Sequence, residues 1–216
     1  LPIPTDEILD QVDYLFISHL HPDHFDGLAQ QIIPKNIPVI CQPENRVTIL
    51  SMGFSEVITL ENRINLGNVT IHKTPGSHGF GKIAELMGPV SGAVFQSKIE
   101  KTIYWLGDTV FDHQVQKVID HFSPQILICH AGGNKFFRSY DFLNLGLQED
   151  TLPLIMDGVQ LEELIRYVPT AQVVVTHLGA LDHETETREG LQQRIEAACL
   201  DSSLVFIPEN GTKLTF

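Results

Sequence analysis

The sequence predicts an α/β fold, and three observations predict it. Strand-like apolar runs alternate with helical patterns over the first sixty residues. Short strands with tight turns follow one another through the middle, and strand–helix alternation resumes after position 110. Alternation of that kind builds parallel strands covered by helices, whereas successive strands joined by tight turns build hairpins.

The elements follow in order. Residues Leu1 to Asp10 form a loop and a short helix that feed a strand at Tyr14-Leu15-Phe16-Ile17-Ser18. Phe25 to Ile33 suits a short helix, and Pro38-Val39-Ile40-Cys41 the next strand. Pro43 fits a first helical turn and Gly53 a C-terminal cap, which frames Glu44 to Met52 as helix. From Val57 the pattern shortens to VITL, INLGNVTIHKT, GAVFQS and KTIYWLG, with Gly67-Asn68 as a hairpin turn. Asp112 caps a helix whose apolar face is Val115, Val118, Ile119 and Phe122, and Gln125 to Cys129 is a strand. Ala131 to Thr151 and Gly79 to Pro89 have the composition of loops. Asp157 and Gln160 have capping-box spacing ahead of Leu161, Leu164, Ile165 and Val168. Gln172 to Thr176 is a β-branched strand, Leu191, Ile195 and Ala198 share a helical face, and LVFIPENGTKLTF closes as two strands about a turn.

Length and composition bound the function. A chain of 216 residues with 43% hydrophobic content and no apolar run long enough to cross a bilayer is expected to be one soluble domain, 1–216. The formal charge of −13, from 27 acidic against 14 basic residues, argues against nucleic acid or an anionic membrane as partner. A small-molecule substrate is the remaining expectation, with a homo-oligomer left open. Cys41, Cys129 and Cys199 are odd in number and widely spaced, which points away from disulfides and thiolate zinc sites and toward a reducing, cytoplasmic setting. The chain begins Leu1-Pro2 without an initiator Met or visible signal peptide, so a preceding segment stays open.

The chemistry centres on His19-Leu20-His21-Pro22-Asp23-His24, directly after the first apolar run. Three imidazoles and a carboxylate within six residues at a strand end suit a metal site. His19 and His21, two apart in extended chain, project to one side and can share an ion, while Asp23 and His24 lie further round and can face a second. His78 in Pro75-Gly76-Ser77-His78-Gly79, Asp108 in Gly107-Asp108-Thr109 and His177 after Val173-Val174-Val175 each follow a predicted strand as well. Strand ends converge on one sheet edge, so these distant residues can meet.

On those residues the sequence resembles the metallo-β-lactamase superfamily. HLHPDH matches its HxHxDH motif, PGSHG its next histidine, GDT its bridging aspartate and VVVTHLG its last histidine. YWLGDTVF, LPLIMD, THLGALDH with its following TRE, and IPENGTKL look like the branch that includes the ascorbate-6-phosphate lactonases. The resemblance implies a four-layered αβ/βα sandwich. It implies a first metal on His19, His21 and His78, a second on Asp23, His24 and His177, and a bridging Asp108. It also implies one or more strands before Leu1 that this sequence lacks.

Two divalent ions on neutral imidazoles and two carboxylates keep net positive charge and lower the pKa of a bridging water toward neutrality. The expected activity is therefore hydrolysis of a small ester, lactone or phosphoester by metal-bridged hydroxide. Zinc suits the nitrogen-rich set, with manganese or iron as alternatives. Asp23 or Asp108 is expected to help move the proton to the leaving group, and His183 is an oxyanion donor or substrate contact unless it only begins a helix. His130, after Ile126-Leu127-Ile128-Cys129, is placed to line the cleft. Lys135, Arg138 and Tyr140 form a cluster that meets an anionic group or is simply solvated. His113 and His121 read as solvated or packing residues, and Asp157 as a helix cap. A metal-holding sensor without turnover and, given the acid excess less favoured, a nuclease are the competing functions.

Overall fold

In a computed structural model, residues 2–136 and 152–216 are described, and they fall into two compact units. The first comprises Leu1–Ile64 with Glu209–Phe216, and the second Asn65–Pro208. Of the anion-binding cluster expected from the sequence, Arg138 and Tyr140 lie outside the described residues. Lys135 pairs with Pro153 through an isolated antiparallel bridge.

The first unit carries α1 (Thr5–Leu9) and a parallel sheet in the order β1 (Leu15–Ile17), β2 (Val39–Cys41), β3 (Val57–Thr59). Leu15 lies opposite Val39, which lies opposite Val57. Between these strands run α2 (Gly27–Ile32) and α3 (Arg46–Ser51). Asp26 caps α2 by accepting from the Ala29 N–H at 2.6 Å. The helix expected over 44–52 is divided: Pro43–Asn45 forms a tight 3₁₀ turn before α3, and Gly53, at φ 92°, ends it. Ile17, Phe25, Val39, Cys41, Ile49 and Phe54 make the core.

The second unit is built on a seven-stranded sheet in the order β10-β9-β8-β7-β6-β5-β4, of which the edge strand β4 begins two residues before the unit does. In chain order its strands are β4 (Arg63–Leu66), β5 (Val69–Pro75), β6 (Ser91–Ser97), β7 (Ile103–Gly107), β8 (Ile126–His130), β9 (Gln172–Thr176) and β10 (Val205–Phe206). Its helices are α4 (Gly81–Met87), α5 (His113–Phe122), α6 (Gly158–Tyr167) and α7 (Arg188–Ala197). β6 is antiparallel to both β5 and β7, while β7, β8, β9 and β10 are mutually parallel. Consequently β5, β7, β8 and β9 all run the same way and end on the same edge. Val115, Val118 and Ile119 of α5, Leu161 and Leu164 of α6 and Leu191 of α7 bury against that sheet. Repacking of such a core is felt at the strand ends, because close-packed interiors transmit strain.

Three expectations are corrected. Residues 81–87 are helix rather than loop: Lys-Ile-Ala-Glu-Leu-Met are good helix formers, and the glycines on either side concealed them. The C-terminal tail does not form two strands about a turn. Val205 and Phe206 pair parallel with β9, Pro208 offers no N–H for a continuing ladder, and Glu209–Phe216 belongs to the first unit. The Asp157 box is one-sided: Asp157 accepts from the Val159 and Gln160 N–H groups, but the Gln160 side chain instead accepts from the Phe111 N–H at 3.0 Å. Among the described residues no helix is long and apolar enough to cross a membrane.

Candidate metal centre

In the first unit the hexapeptide is a loop pinned at both ends. Ile17 ahead of it and Phe25 behind it are core residues. The Gln42 side-chain amide, itself buried, donates to the Ser18 carbonyl at 2.6 Å, which fixes the exit from β1. The N–H groups of His24 and Phe25 both donate to the His21 carbonyl at 3.0 Å, closing the turn over Pro22 and Asp23. Four side chains are thereby crowded together. The His19 ring lies 4.4 Å from that of His21, nearly perpendicular to it, and 4.2 Å from that of His24. Asp23 Oδ2 lies 3.5 Å from His24 Nε2. His19 and His21 each offer a ring nitrogen within 4.8 Å of the other's. Ser18 Oγ is 2.8 Å from His19 Nδ1, so Nε2 is the ring atom left to face an ion.

In the second unit the candidate ligands arrive from four strands. Asp108 follows β7 directly, with Gly107 at φ 68° making the turn that a side chain would resist. His130 is the last residue of β8 and His177 the first after β9. His177 itself adopts φ 61°, a left-handed conformation rare for a residue with a Cβ and common at functional sites. Asp108, His130 and His177 each offer a ligand atom, all within 4.8 Å of one another. His78 starts from β5, two strands away from β7, and a hydrogen-bonded loop carries it across. The Ser77 N–H donates to Thr109 Oγ1 at 2.9 Å, Ser77 Oγ donates to Asp112 Oδ2 at 2.7 Å, and the Val110 N–H donates to the Ser77 carbonyl at 2.9 Å. Asp112 thus caps α5, as the sequence predicts, and also ties the His78 loop to the segment after Asp108.

The His78 ring settles its own tautomer. Nδ1 lies 3.0 Å from the Leu154 carbonyl oxygen, which can only accept, so Nδ1 carries the proton and the Nε2 lone pair is available. That Nε2 lies 3.5 Å from Asp108 Oδ2, while Asp108 Oδ1 lies 2.6 Å from His130 Nδ1. Asp108, His78 and His130 are all buried, which water-exposed ion pairs would not require. The His78 lone pair turned toward a buried carboxylate, with the ring held from behind by the Leu154 carbonyl, is a donor arrangement that fits a divalent metal ion. Cys129, beside His130, does not join it: burial pushes its thiol up to about 12, and the side chain packs in the core.

A glycine keeps this arrangement compact. A Cβ on Gly132 would lie 2.6 Å from the His177 carbonyl oxygen and 2.7 Å from Asn134 Oδ1, closer than real side chains come. The residues around it are laced on both sides. The Leu154 N–H donates to the Asn134 carbonyl at 2.7 Å, the Gly133 N–H to that of Met156 at 2.9 Å and the Thr185 N–H to that of Gly132 at 3.0 Å.

His183 stands apart from a helix start, because α7 begins at Arg188 under a Thr187 cap. Its ring lies 3.3 Å from Asp182, and its carbonyl accepts from the Lys135 N–H. His113 and His121 are exposed on α5, His121 lying edge-on to Phe122 at 4.5 Å. Sequence reasoning left His130 as a cleft residue and did not see it against Asp108, although it meets the same strand-end criterion that selected the others. Ser18, Ser77 and the Leu154 carbonyl carried no signal, being ordinary groups whose role comes only from what they touch.

A family model described as a beta-lactamase superfamily domain matches residues 1–178. The UPF0173 protein YddR of Bacillus subtilis is 34% identical over 218 aligned residues, which span the whole of this chain and 81% of that protein. Two solved structures are similar over the entire chain. A possible metal-dependent hydrolase from Veillonella parvula is 28% identical with a TM-score of 0.90, over 80% of its length. An isothiocyanate hydrolase from Delia radicum gut bacteria is 29% identical with a TM-score of 0.88, over 82% of its length.

Proposed function

The chain belongs to the beta-lactamase superfamily, with the metallo-β-lactamase fold and the character of a metal-dependent hydrolase, and from that premise we propose that it is a dinuclear hydrolase of a small electrophilic substrate. The superfamily resemblance supports reading His19, His21, Asp23 and His24 of the first unit and His78, Asp108 and His177 of the second as the ligands of two divalent ions, and residues 1–216 as one catalytic domain. Zinc suits the ring nitrogens; manganese and iron suit the same mixed set. The observation that carries the reading is His78, whose proton is committed to Leu154 so that its lone pair faces Asp108.

Bound there, the ions supply a water acidic enough to deliver hydroxide near neutral pH and a positive charge to polarise the substrate oxygen or sulfur. The rest is done by the chain. Ser18 and Leu154 hold the His19 and His78 rings from behind, so that no reorientation is needed when substrate enters. Asp108 keeps one carboxylate oxygen toward His78 and the other toward His130. Asp23, partly exposed, carries a proton to the departing group, and His183 contacts the substrate from the 177–186 loop.

The resemblance to the lactonase branch supports lactones and other esters, or phosphoesters, as substrates. The likeness to the isothiocyanate hydrolase supports a second reading, attack on the central carbon of R–N=C=S. One water is then consumed and the C–N bond breaks. The nitrogen leaves as an amine carrying both protons, and carbonyl sulfide is the other product. The test is turnover of lactones, aryl esters, phosphodiesters and isothiocyanates by metal-loaded protein beside its chelator-stripped form. Metal-dependent turnover of one class is the expected result. Tight binding of ions with no turnover of any would make the protein a metal-holding module instead.

A further inference from the structure

We propose that His130 is a positioning residue for Asp108, an added support for the metal-bridging carboxylate; this rests on reading Asp108 as a metal ligand. The sheet places the two side by side. β7 and β8 are parallel neighbours, with Gly107 opposite Cys129, so the next residue of each strand, Asp108 and His130, leaves the same edge together. Nδ1 of His130 then reaches Asp108 Oδ1 at 2.6 Å, and both side chains are buried.

A carboxylate hung from one strand end can rotate about its Cα–Cβ and Cβ–Cγ bonds, and a bridging ligand must not. With Oδ1 held by His130, Oδ2 is left toward His78 Nε2 at 3.5 Å, and one rotation is selected. His130 is held in turn. The indole of Trp105 meets it edge-on at 5.5 Å, and the His177 ring lies 5.0 Å away. The preceding residue, Cys129, is core, so the imidazole has little freedom to swing off. A charge-assisted hydrogen bond of this length, shielded from water, orients its acceptor strongly.

The role has a chemical signature, because the Asn side-chain amide places a donor close to where His places Nδ1, whereas Ala places none. Zinc affinity of the full-length protein is measured by competition with a chromophoric chelator for wild type, His130→Asn, His130→Ala and Asp108→Asn. Absorption spectra of the cobalt-substituted proteins are recorded beside them, and melting of the stripped forms confirms folding. His130→Ala is expected to bind zinc roughly 10–100-fold more weakly, as other losses of a ligand's hydrogen-bond partner do. His130→Asn is expected to recover most of that loss and to keep the wild-type cobalt spectrum. If His130→Ala binds like wild type while Asp108→Asn does not, the positioning role is wrong and the metal site stands. If His130→Asn is as weak as His130→Ala and the cobalt bands change, His130 is itself a ligand, which also overturns the proposal. Wild-type affinity in Asp108→Asn would sink the underlying assignment of the site.

Discussion

The first unit gathers its candidate ligands within six consecutive residues, whereas the second draws Asp108, His130 and His177 from three neighbouring strand ends and His78 from a fourth. In the loop, covalent connectivity sets the spacing, and two core anchors and one buried amide suffice to hold it. In the sheet, the spacing is the interstrand distance of about 4.8 Å, and it is correct only while the register and the helices behind it are correct. The contrast teaches that the same chemistry has a local and a global form. The local half should tolerate distant packing changes that the global half cannot.

The largest expected effect is removal of the group on which the second unit's ligands converge. Asp108→Ala removes the carboxylate that lies against both His78 and His130, and kcat/KM should fall by more than the roughly 10–100-fold typical of losing a mere supporting partner. His21→Ala should be comparably harmful to turnover but should leave the melting temperature closer to wild type, since its neighbours are held by chain connectivity. Equal destabilisation by both, read by thermal melting, would erase the distinction.

Gly132→Ala is the next test, because it touches no ligand side chain. Its new methyl meets the His177 carbonyl and Asn134 Oδ1, so the strand end must shift. Overpacking of this kind costs about 1–3 kcal/mol, and zinc affinity should fall with stability. Unchanged melting and affinity would show that the second unit is more compliant than its lacing suggests.

The division also explains what could be seen beforehand. HLHPDH was legible because its candidate ligands are contiguous, and His78, Asp108 and His177 because each follows a recognisable apolar run. The parallel and antiparallel sections of the sheet followed from turn residues and alternation, and the caps Asp112 and Asp157 from their spacing. The pairing of His130 with Asp108 was hidden because register between β7 and β8 has no local sequence signal. The Ser77 and Gln42 contacts, and the hold of Leu154 on His78, join residues 24 to 76 positions apart, beyond any periodicity. The tail misled because its apolar alternation resembles a hairpin, while Pro208 and the parallel pairing of β10 forbid one.

A smaller effect is expected at Ser18. Ser18→Ala removes the hydroxyl beside His19 Nδ1 and should weaken zinc binding by about tenfold without lowering the melting temperature. The mildest probe uses the buried thiols, one in each unit. Burial pushes Cys41 up to about 11 and Cys129 up to about 12 from an ordinary 9.0, so both stay protonated and packed while folded. Exposed Cys199 should alkylate at once, whereas Cys41 and Cys129 should react only on opening. Because the folded chain holds these protons when the unfolded chain has lost them, stability should decline as pH rises above about 9. If the local half opens more readily, peptide mass spectrometry will find Cys41 labelled before Cys129; simultaneous labelling would mean that the two open as one.

The central claim, that the contiguous and the assembled ligand sets serve one pair of metals, is tested most directly by anomalous diffraction from crystals of the metal-loaded protein. The account predicts two peaks that share Asp108, one reached by His19, His21 and His78 and the other by Asp23, His24 and His177. Metal bound to only one of the two sets, or bound away from both, would contradict it.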